Sequence, residues 1–306
     1  MDSEEIAVLV QAVAAGSLSA AARRLGLSPM VASRRLAALE GRVGVRLLHR
    51  TTRSVSLTPE GEAFLPHAQA MLEAAEAARA SLAPTGRGAS GLLRVTAPAA
   101  FGRKVVAAMM PGLLAENPDL RVELGLTDSI VDIVAEGIDV AVRIGRLRDS
   151  SLIARRLAYS RRWLWASPAY LARAGTPRTV ADLPAHECIV LTGVSTWPFQ
   201  RRADGKVEEV RIAGRFTSNS IEAVHEACLG GVGLALMSGW NCAEDLEAGR
   251  LVALDLEDGG PVDLAIWAVH PSARFVPPKL RVFVAALERT LAASPLACAG
   301  TPPGSG

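Results

Sequence analysis

The residues of this 306-residue chain with the clearest chemical potential are arginines crowded near its start. Residues 17–58 contain eight arginines against one acid, Glu40, so this segment carries a charge of +7 while the whole chain carries only +2. The eight are Arg23, Arg24, Arg34, Arg35, Arg42, Arg46, Arg50 and Arg53. Guanidinium groups at this density favour a phosphate-bearing partner. The ordinary alternative is a solvated helical face that binds nothing.

The other side chains able to do chemistry are scattered. The four cysteines, Cys188, Cys228, Cys242 and Cys298, show neither C-x-x-C spacing nor a histidine at metal-ligand spacing. The five histidines lack a partnered serine, cysteine or carboxylate pattern, and the G-x-S-x-G, Walker and H-E-x-x-H motifs do not occur. We therefore expect buried free thiols, no metal, no cofactor and no catalytic residue. A redox-sensing thiol and an enzymatic activity remain the alternatives.

Three short helices are predicted to carry the arginines. Their expected N-caps are Ser3, Ser19 and Ser28. The second helix, over residues 20–25, ends at Gly26, where a positive φ costs glycine little. The third has Pro29 at its first position. Its expected inward stripe is Ala32, Leu36 and Leu39. Two helices joined by so short a turn predict a helix-turn-helix, whose second helix can enter the major groove of DNA.

A basic hairpin is predicted after the third helix. Short apolar strands, around residues 45–48 and 55–57, flank a polar basic tip suited to the minor groove or the DNA backbone. With the outward side chains of the helices, the tip completes the predicted DNA-binding set. This set is Ser19, Arg23, Arg24, Ser28, Pro29, Met30, Ser33, Arg34, Arg35, Arg50, Thr51, Thr52 and Arg53.

A long helix follows, capped by Thr58 and begun by Pro59, and is expected to run to about residue 83. Its apolar residues alternate spacings of three and four, which predicts a seam for a partner helix. The seam consists of Phe64, Ala68, Met71, Ala75, Ala78 and Leu82. The alternative is that this helix packs on its own domain. Residues 85–91 have the composition of a hinge.

The rest of the chain alternates short apolar strands with helical stretches, which predicts parallel α/β lobes. Strands are expected at residues 92–97, 122–126, 140–144 and 189–192, and helices at residues 104–116, 130–135 and 221–229. Ligands of such sheets bind at the carboxyl ends of strands, beside helix N-termini. Residues 98–102, 145–146 and 217–220 fit that position, although Ser218 and Asn219 can equally be plain helix caps.

These segments together resemble the LysR-type transcriptional regulators. The resemblance rests on residues 16–29 (GSLSAAARRLGLSP), 44–53 (GVRLLHRTTR), 57–61 (LTPEG), 139–145 (DVAVRIG) and 167–171 (SPAYL), with Ser33-Arg34, Leu39-Glu40, residues 218–220 and residues 249–252. It covers nearly the whole chain up to about residue 293. It implies a winged helix-turn-helix, a dimerising linker helix and a two-lobed α/β domain like the periplasmic binding proteins, assembled as a homotetramer.

The resemblance also implies an effector site between the lobes. The candidate residues are Ala99, Ala100, Phe101, Gly145, Arg146, Thr196, Ser218, Asn219 and Trp240. Similar proteins often carry a hydroxyl residue where Ala100 stands, and a proline where Ser238 precedes Trp240. These departures predict a pocket that is more apolar than usual, or differently shaped.

The expected organisation has three parts. Residues 1–59 form the DNA-binding domain, residues 60–90 the linker helix and hinge, and residues 91–306 the effector domain. Within the last, lobe I spans about residues 91–160 and 266–292, lobe II about 161–265, and the tail 293–306 is expected to be disordered. We predict a cytoplasmic, non-enzymatic regulator that binds promoter DNA as a dimer of dimers under the control of a small molecule such as an organic anion. A purely architectural DNA-binding protein is the remaining alternative.

Overall fold

The structure is a computed structural model that describes residues 2–50, 55–81, 88–145, 147, 152–271 and 276–293. Its first unit contains, in chain order, α1 (Ser3–Ala14), α2 (Leu18–Arg24), α3 (Pro29–Val43), β1 (Leu48–Arg50), β2 (Val55–Leu57) and α4 (Pro59–Ser81). Thr51, Thr52, Arg53, Leu82, Arg146, Cys298 and the predicted tail from residue 294 onward lie outside the described residues.

The caps of the first two helices lie earlier than predicted. Asp2, not Ser3, caps α1, because its side chain accepts the N–H of Glu4. Ser17 has an extended backbone and accepts the N–H of Ala20, so it caps α2 and leaves Ser19 inside the helix. The prediction for α3 is confirmed: the Ser28 hydroxyl accepts the N–H of Val31, 3.3 Å away.

One core joins the three helices, the hairpin and the start of α4. Ala32, Leu36 and Leu39 are fully buried, as predicted, and pack with apolar residues of α1 and α2. In the hairpin Leu48 pairs with Leu57, so the first strand lies nearer the tip than predicted. Glu40 Oε1 accepts the N–H of both Leu47 and Leu48, which fixes the path from α3 into the strand. The Thr58 hydroxyl accepts the N–H of Gly61 and begins α4 as predicted.

The remaining elements form two lobes. In chain order they are β3 (Gly91–Ala97), α5 (Ala99–Phe101), a π-helical turn (Gly102–Val106), α6 (Ala107–Glu116), β4 (Leu120–Leu126), β5 (Val140–Ile144), β6 (Ile153–Ser160), β7 (Arg162–Ala166), α7 (Pro168–Ala174), a 3₁₀ helix (Val180–Ala185), β8 (Cys188–Leu191), β9 (Thr196–Arg201), β10 (Val207–Arg211), β11 (Thr217–Ser218), α8 (Ile221–Leu229), β12 (Leu234–Ser238), α9 (Gly239–Glu247), β13 (Val252–Leu254), β14 (Gly259–Pro261), β15 (Leu264–His270) and α10 (Pro278–Ala293).

Each lobe is built on a five-stranded mixed sheet. Lobe I has the strand order β4-β3-β5-β15-β6, and lobe II has the order β11-β8-β12-β7-β13. The prediction of parallel sheets is correct for β3 with β4 and β5, and for β8 with β11 and β12. No strand was predicted at β6, β7, β13 or β15, and these pair antiparallel, so both sheets are mixed rather than purely parallel. The chain passes between the lobes twice, at residues 160–162 and 261–264, and these passages bring the antiparallel strands into each sheet.

Two predicted helices differ from the observed ones. Residues 130–135 form no helix: Asp132 Oδ1 accepts the N–H of Val134 and Ala135, and the single turn ends at Gly137, whose φ is +65°. The helix predicted from residue 104 begins at Ala99 instead. At Gly102 this segment packs closely on the sheet, because a Cβ there would displace the end of the Leu126 side chain and meet Ala97 at 3.3 Å.

Candidate DNA interface and effector cleft

The face of α3 that points away from the core is exposed. Met30 has 77% of its surface accessible, Arg34 is exposed, and Ser33 is half-buried. Ser19, Arg23, Arg24, Ser28 and Pro29 are also exposed. The structure thus leaves exposed cationic side chains at the end of α2 and on the first turns of α3, together with the apolar Met30. Such a surface can meet phosphates and base edges together.

Arg35 occupies a different position from its predicted one. It forms an ion pair with Glu4 of α1 and keeps 29% of its side chain accessible. Arg42 likewise pairs with Glu5 at 3.0 Å, and only 8% of the Glu5 side chain is accessible. These two arginines hold α3 against α1. We therefore assign Arg35 to the packing of the domain, since its guanidinium points to α1.

The predicted wing is an antiparallel hairpin in the described residues, in which Arg50 pairs with Val55 at the end nearest the tip. The basic tip itself falls outside them, so its contribution stays a prediction.

The predicted dimer seam on α4 divides into two parts. Phe64 is half-buried and Ala68 fully buried, and both pack into the core of the DNA-binding unit. At Phe64 and Ala68 the helix therefore packs on its own domain, which was the alternative to a seam for a partner helix. Met71, with 38% of its surface accessible, and Ala75 follow on the later turns. Only this later part of the seam can face a partner helix.

The predicted effector residues of lobe I contact lobe II directly. Ala100 and Phe101 are fully buried, and the Phe101 ring meets the Trp240 ring edge-on at 5.3 Å. Trp240 Nε1 donates to Ser160 Oγ at 3.0 Å, and this hydroxyl donates to Ser238 Oγ at 2.7 Å. Ser238 is thus part of a hydrogen-bonded chain that positions Trp240.

Two further contacts cross the cleft. Lys104 Nζ donates to the carbonyl of Asn241 at 2.6 Å, and Arg103 Nε pairs with Glu222 Oε1 at 3.0 Å. Both cations lie on the π-helical turn of lobe I, and their partners lie near the starts of α9 and α8 in lobe II. The lobes are therefore bridged by ionic and aromatic contacts on one side of the cleft.

Two of the remaining predicted effector residues, Ser218 and Asn219, lie just before the N-terminus of α8. Ser218 Oγ accepts the N–H of Ser220, which is the N-cap of α8, and Asn219 is exposed. Neither Ser218 nor Asn219 caps the helix itself. Gly145 ends β5 with a φ of +137°, and its carbonyl accepts Trp267 Nε1.

A cavity of about 240 Å³ lies within lobe II, beside the carboxyl end of β8. Its lining is Arg162, Ile189, Leu191, Val194, Thr196, Trp197, Pro198, Ile221, Val224 and Leu236. Of the predicted effector residues, Thr196 lines it. Sequence reasoning missed Arg162. The sequence does contain a signal for Arg162, because this charged residue directly precedes the apolar residues 163–166. The structure shows that residues 163–166 are all buried.

The buried titratable groups of lobe II are internally paired. Asp245, with 5% of its side chain accessible, accepts from His225 Nε2 and Arg250 Nε, both 2.7 Å away. Burial alone would raise the pKa of Asp245, but the hydrogen bonds from Arg250 and His225 outweigh it and lower this pKa. The prediction of buried free thiols is confirmed for Cys188, Cys228 and Cys242. Burial raises the pKa of Cys188 and of Cys228 to about 12.

Within the described ranges, no three His, Cys, Asp or Glu side chains gather as a metal site would require. Nor does any described helix combine the length and apolarity that crossing a bilayer would need.

Comparison with known proteins identifies relatives of both parts of the chain. Residues 3–62 match the model described as "Bacterial regulatory helix-turn-helix protein, lysR family", and residues 86–292 match the "LysR substrate binding domain". The HTH-type transcriptional regulator DmlR of Escherichia coli is 37% identical over 277 residues, which cover 90% of this chain and 89% of that protein.

Solved structures also resemble this chain over nearly its whole length. The structure of CrgA, a LysR-type transcriptional regulator from Neisseria meningitidis, is 33% identical, with a TM-score of 0.60 over 95% of this chain and 99% of that one. A full-length OxyR variant from Pseudomonas aeruginosa shares the fold with a TM-score of 0.67 at 16% identity, covering 94% of this chain and 98% of that one.

Proposed function

This chain belongs to the LysR family of transcriptional regulators, and we propose that it reads promoter DNA through the exposed face of α3. Its relatives are named transcriptional regulators, so the chain is a DNA-binding regulator with an effector-binding domain and not an enzyme. The observation that supports the assignment of this face is the joint exposure of Met30 and Arg34 beside the exposed arginines of α2. Arg35 and Arg42 of α3 are instead paired with acids of α1.

The proposed DNA contacts divide into two kinds. Ser33, Arg34 and Met30 reach base edges, Met30 through a thymine methyl group. Arg23 and Arg24, at the end of α2, meet the phosphate backbone, as do Ser28 and Pro29 at the start of α3. The hairpin tip lies in the adjacent minor groove. The protein acts in the cytoplasm, on the promoters that it controls.

We further propose that two copies pair through the outer part of α4, around Met71 and Ala75. A two-fold dimer places its two recognition helices on half-sites about one DNA turn (~34 Å) apart, so the operator has dyad symmetry. Two such dimers form the tetramer that occupies paired sites.

The effector acts between the lobes. The contacts of Arg103 and Lys104 with lobe II join the segment after β3 to the starts of α8 and α9. An effector that binds one lobe arrangement better than another shifts the population of that arrangement. Because the lobes link the copies of the tetramer, such a shift changes the angle between dimers and hence promoter occupancy or bending.

The DNA assignment is tested with Arg34→Ala. We expect loss of a base or phosphate contact to weaken binding to the chain's own upstream duplex by about 1–3 kcal/mol, roughly five- to 150-fold. Fluorescence anisotropy at two salt concentrations measures this. Arg178→Ala, which removes an exposed arginine of lobe II, is the matched control and should leave affinity unchanged. Equal affinities for Arg34→Ala and the unaltered protein would contradict the assignment of α3.

A further inference from the structure

One helical run connects the cleft between the lobes with the point where the chain enters lobe I. It consists of α5, the π-helical turn and α6, which follow one another without a break over residues 99–116. We call this run the connecting helix. At the α-helical rise of about 1.5 Å per residue it is roughly 25 Å long. Its two ends therefore lie in different parts of lobe I, although they belong to one element.

The first end of the connecting helix contacts lobe II. Arg103 pairs with Glu222 at 3.0 Å, and Lys104 Nζ donates to the carbonyl of Asn241 at 2.6 Å. The aromatic contact with Trp240 lies at the same end. A movement of lobe II relative to lobe I therefore acts on the start of this helix.

The other end of the connecting helix holds the chain where it enters lobe I. Asn117, the residue after α6, is only 3% accessible, and both groups of its amide are engaged. Its Oδ1 accepts the N–H of Ala89 at 2.7 Å, and its Nδ2 donates to the carbonyl of Leu113 at 2.8 Å. Gly88 fits beside it with a φ of +70°, and a Cβ at Gly88 would lie 2.5 Å from Asn117 Oδ1. Residues 88–89 are thus clamped to the end of the helix.

The body of the connecting helix is packed into the core of lobe I. Phe101, Val106 and Leu113 are buried there. The entering chain is held from a second side by Lys279 of α10, whose Nζ donates to the carbonyl of Leu92 at 2.7 Å. Because close-packed interiors transmit strain, a displacement at one end of the helix reaches the other.

We propose that Asn117 is a positioning residue for the control of DNA binding by the lobes. It clamps residues 88–89 to the connecting helix, so that a change in the arrangement of the lobes alters the direction in which the chain leaves lobe I toward the DNA-binding unit. This rests on the proposed effector control of promoter binding. A residue that only completes the fold of lobe I would stabilise every lobe arrangement equally and would not link the cleft contacts to DNA binding.

The test is a double-mutant cycle on operator binding by the full-length protein. The bridge variant, Arg103→Ala with Lys104→Ala, perturbs the contact between the lobes, and Asn117→Ala releases the clamp. The readout is the spacing preference, which is the affinity for the chain's own upstream duplex divided by that for the same duplex with about half a DNA turn inserted between its paired sites. We expect the bridge variant to change this ratio at least about threefold alone, and by less than about 1.5-fold when Asn117→Ala is also present.

Three further variants separate loss of the clamp from general damage. Gly88→Ala disturbs the same contact from the other side, because its Cβ would meet Asn117 Oδ1 and, at 2.7 Å, the Glu116 carbonyl, so it should reproduce Asn117→Ala. Gly91→Ala also falls at a positive φ, +92°, but nothing lies within 4 Å of its Cβ. Asp119→Ala removes an exposed side chain two residues from Asn117. The last two should keep the response to the bridge variant, and thermal unfolding shows that each protein is folded.

Three outcomes would overturn the proposal. They are an equal response to the bridge variant with and without Asn117, no response in the otherwise unaltered protein, and a response that is lost to the same extent in Gly91→Ala as in Gly88→Ala. If Asn117→Ala does not fold, Gly88→Ala takes its place in the cycle, and the same outcomes decide.

A readout without DNA separates this proposal from the one on which it rests. In the bridge variant, hydrogen exchange at residues 88–94 should rise at least about threefold, and in Asn117→Ala the bridge variant should add no further rise. Unchanged exchange at residues 88–94 in the bridge variant overturns the proposal whatever the DNA results are. If exchange changes as expected while the unaltered protein prefers no duplex, the DNA assignment fails and the link between Asn117 and the cleft is supported.

Discussion

At the residue scale, some charged side chains of this protein are paired within the chain and others are exposed to solvent. Arg35 and Arg42 neutralise acids of α1, and Arg250 neutralises the buried Asp245, which is also hydrogen-bonded to His225. A buried carboxylate must be paired, because desolvation of an isolated charge costs several kcal/mol. Arg34 is exposed on the outer face of α3, where its guanidinium meets solvent. This exposure is what the proposed contact of Arg34 with DNA requires.

The pairing of Asp245 predicts a pH dependence of stability. Its pKa is lowered in the folded protein, so its contribution is complete above the unfolded value of about 3.9 and is lost as pH falls from there through the folded pKa. We expect Asp245→Asn to lower the free energy of unfolding at pH 7 by about 1–3 kcal/mol. The variant should also show a shallower loss of stability below about pH 4.

Urea unfolding monitored by circular dichroism between pH 3 and pH 7 measures both effects. Asp255→Asn serves as the control, because its partner Arg202 is largely accessible and such surface pairs contribute little. If the free energy of unfolding fell equally steeply with decreasing pH in Asp245→Asn and in the unaltered protein, Asp245 would not contribute to the loss of stability in acid.

At the element scale, α4 has two roles along its length. Its first turns complete the core of the DNA-binding unit through Phe64 and Ala68, and its later turns present Met71 and Ala75. Gly61 belongs to the first part, because a Cβ at this position would collide with the Leu47 carbonyl. The first turns of α4 are thus packed against their own domain, and its later turns are available to a partner helix.

This division predicts different results for two substitutions on the same helix. Met71→Glu should separate the dimer while the helix content is retained, because it puts a charge into the proposed inter-chain seam. Ala68→Glu should instead unfold the DNA-binding unit, by about 3 kcal/mol or more, since it buries an unpaired charge in a filled core. Light scattering after size exclusion and thermal unfolding measure the two effects. An undiminished dimer in Met71→Glu would exclude the outer part of α4 as the seam.

At the scale of the whole molecule, the two lobes are joined by two chain passages and by contacts across the cleft. Among these contacts, the Arg103–Glu222 pair is accessible, with exposures of 61% and 40%, so its contribution is small. The Lys104 bond and the Phe101–Trp240 contact are more buried. The arrangement of the lobes is consequently held by a few interactions that a ligand can oppose.

We expect the double variant Arg103→Ala, Lys104→Ala to loosen this arrangement without unfolding either lobe. Hydrogen exchange should rise at the first turns of α8 and α9, by about threefold to thirtyfold for a loss of roughly 0.6–2 kcal/mol. Mass-spectrometric exchange measures it, with β8 and β12 as internal references. If exchange at the two helix starts stays at its original rate, these bridges do not restrain the lobes.

Features that depend on neighbouring residues could be predicted before the fold was known. The Ser28-Pro29 start of α3, the turn at Gly26, the inward stripe of α3 and the Thr58 cap were all predicted, because a cap or a helical face is decided within a few residues. The family was also evident from motifs spread over most of the chain.

The places where separate segments meet could not be predicted and became known from the folded chain. The antiparallel strands β7 and β15, the contact of Arg35 with Glu4, the burial of Ala68 and the cavity beside Arg162 depend on residues far apart in the chain. Local patterns state which side of an element is apolar but not which element covers it. That choice is made by the packing of the whole domain, where volume, charge and hydrogen bonds must be satisfied together.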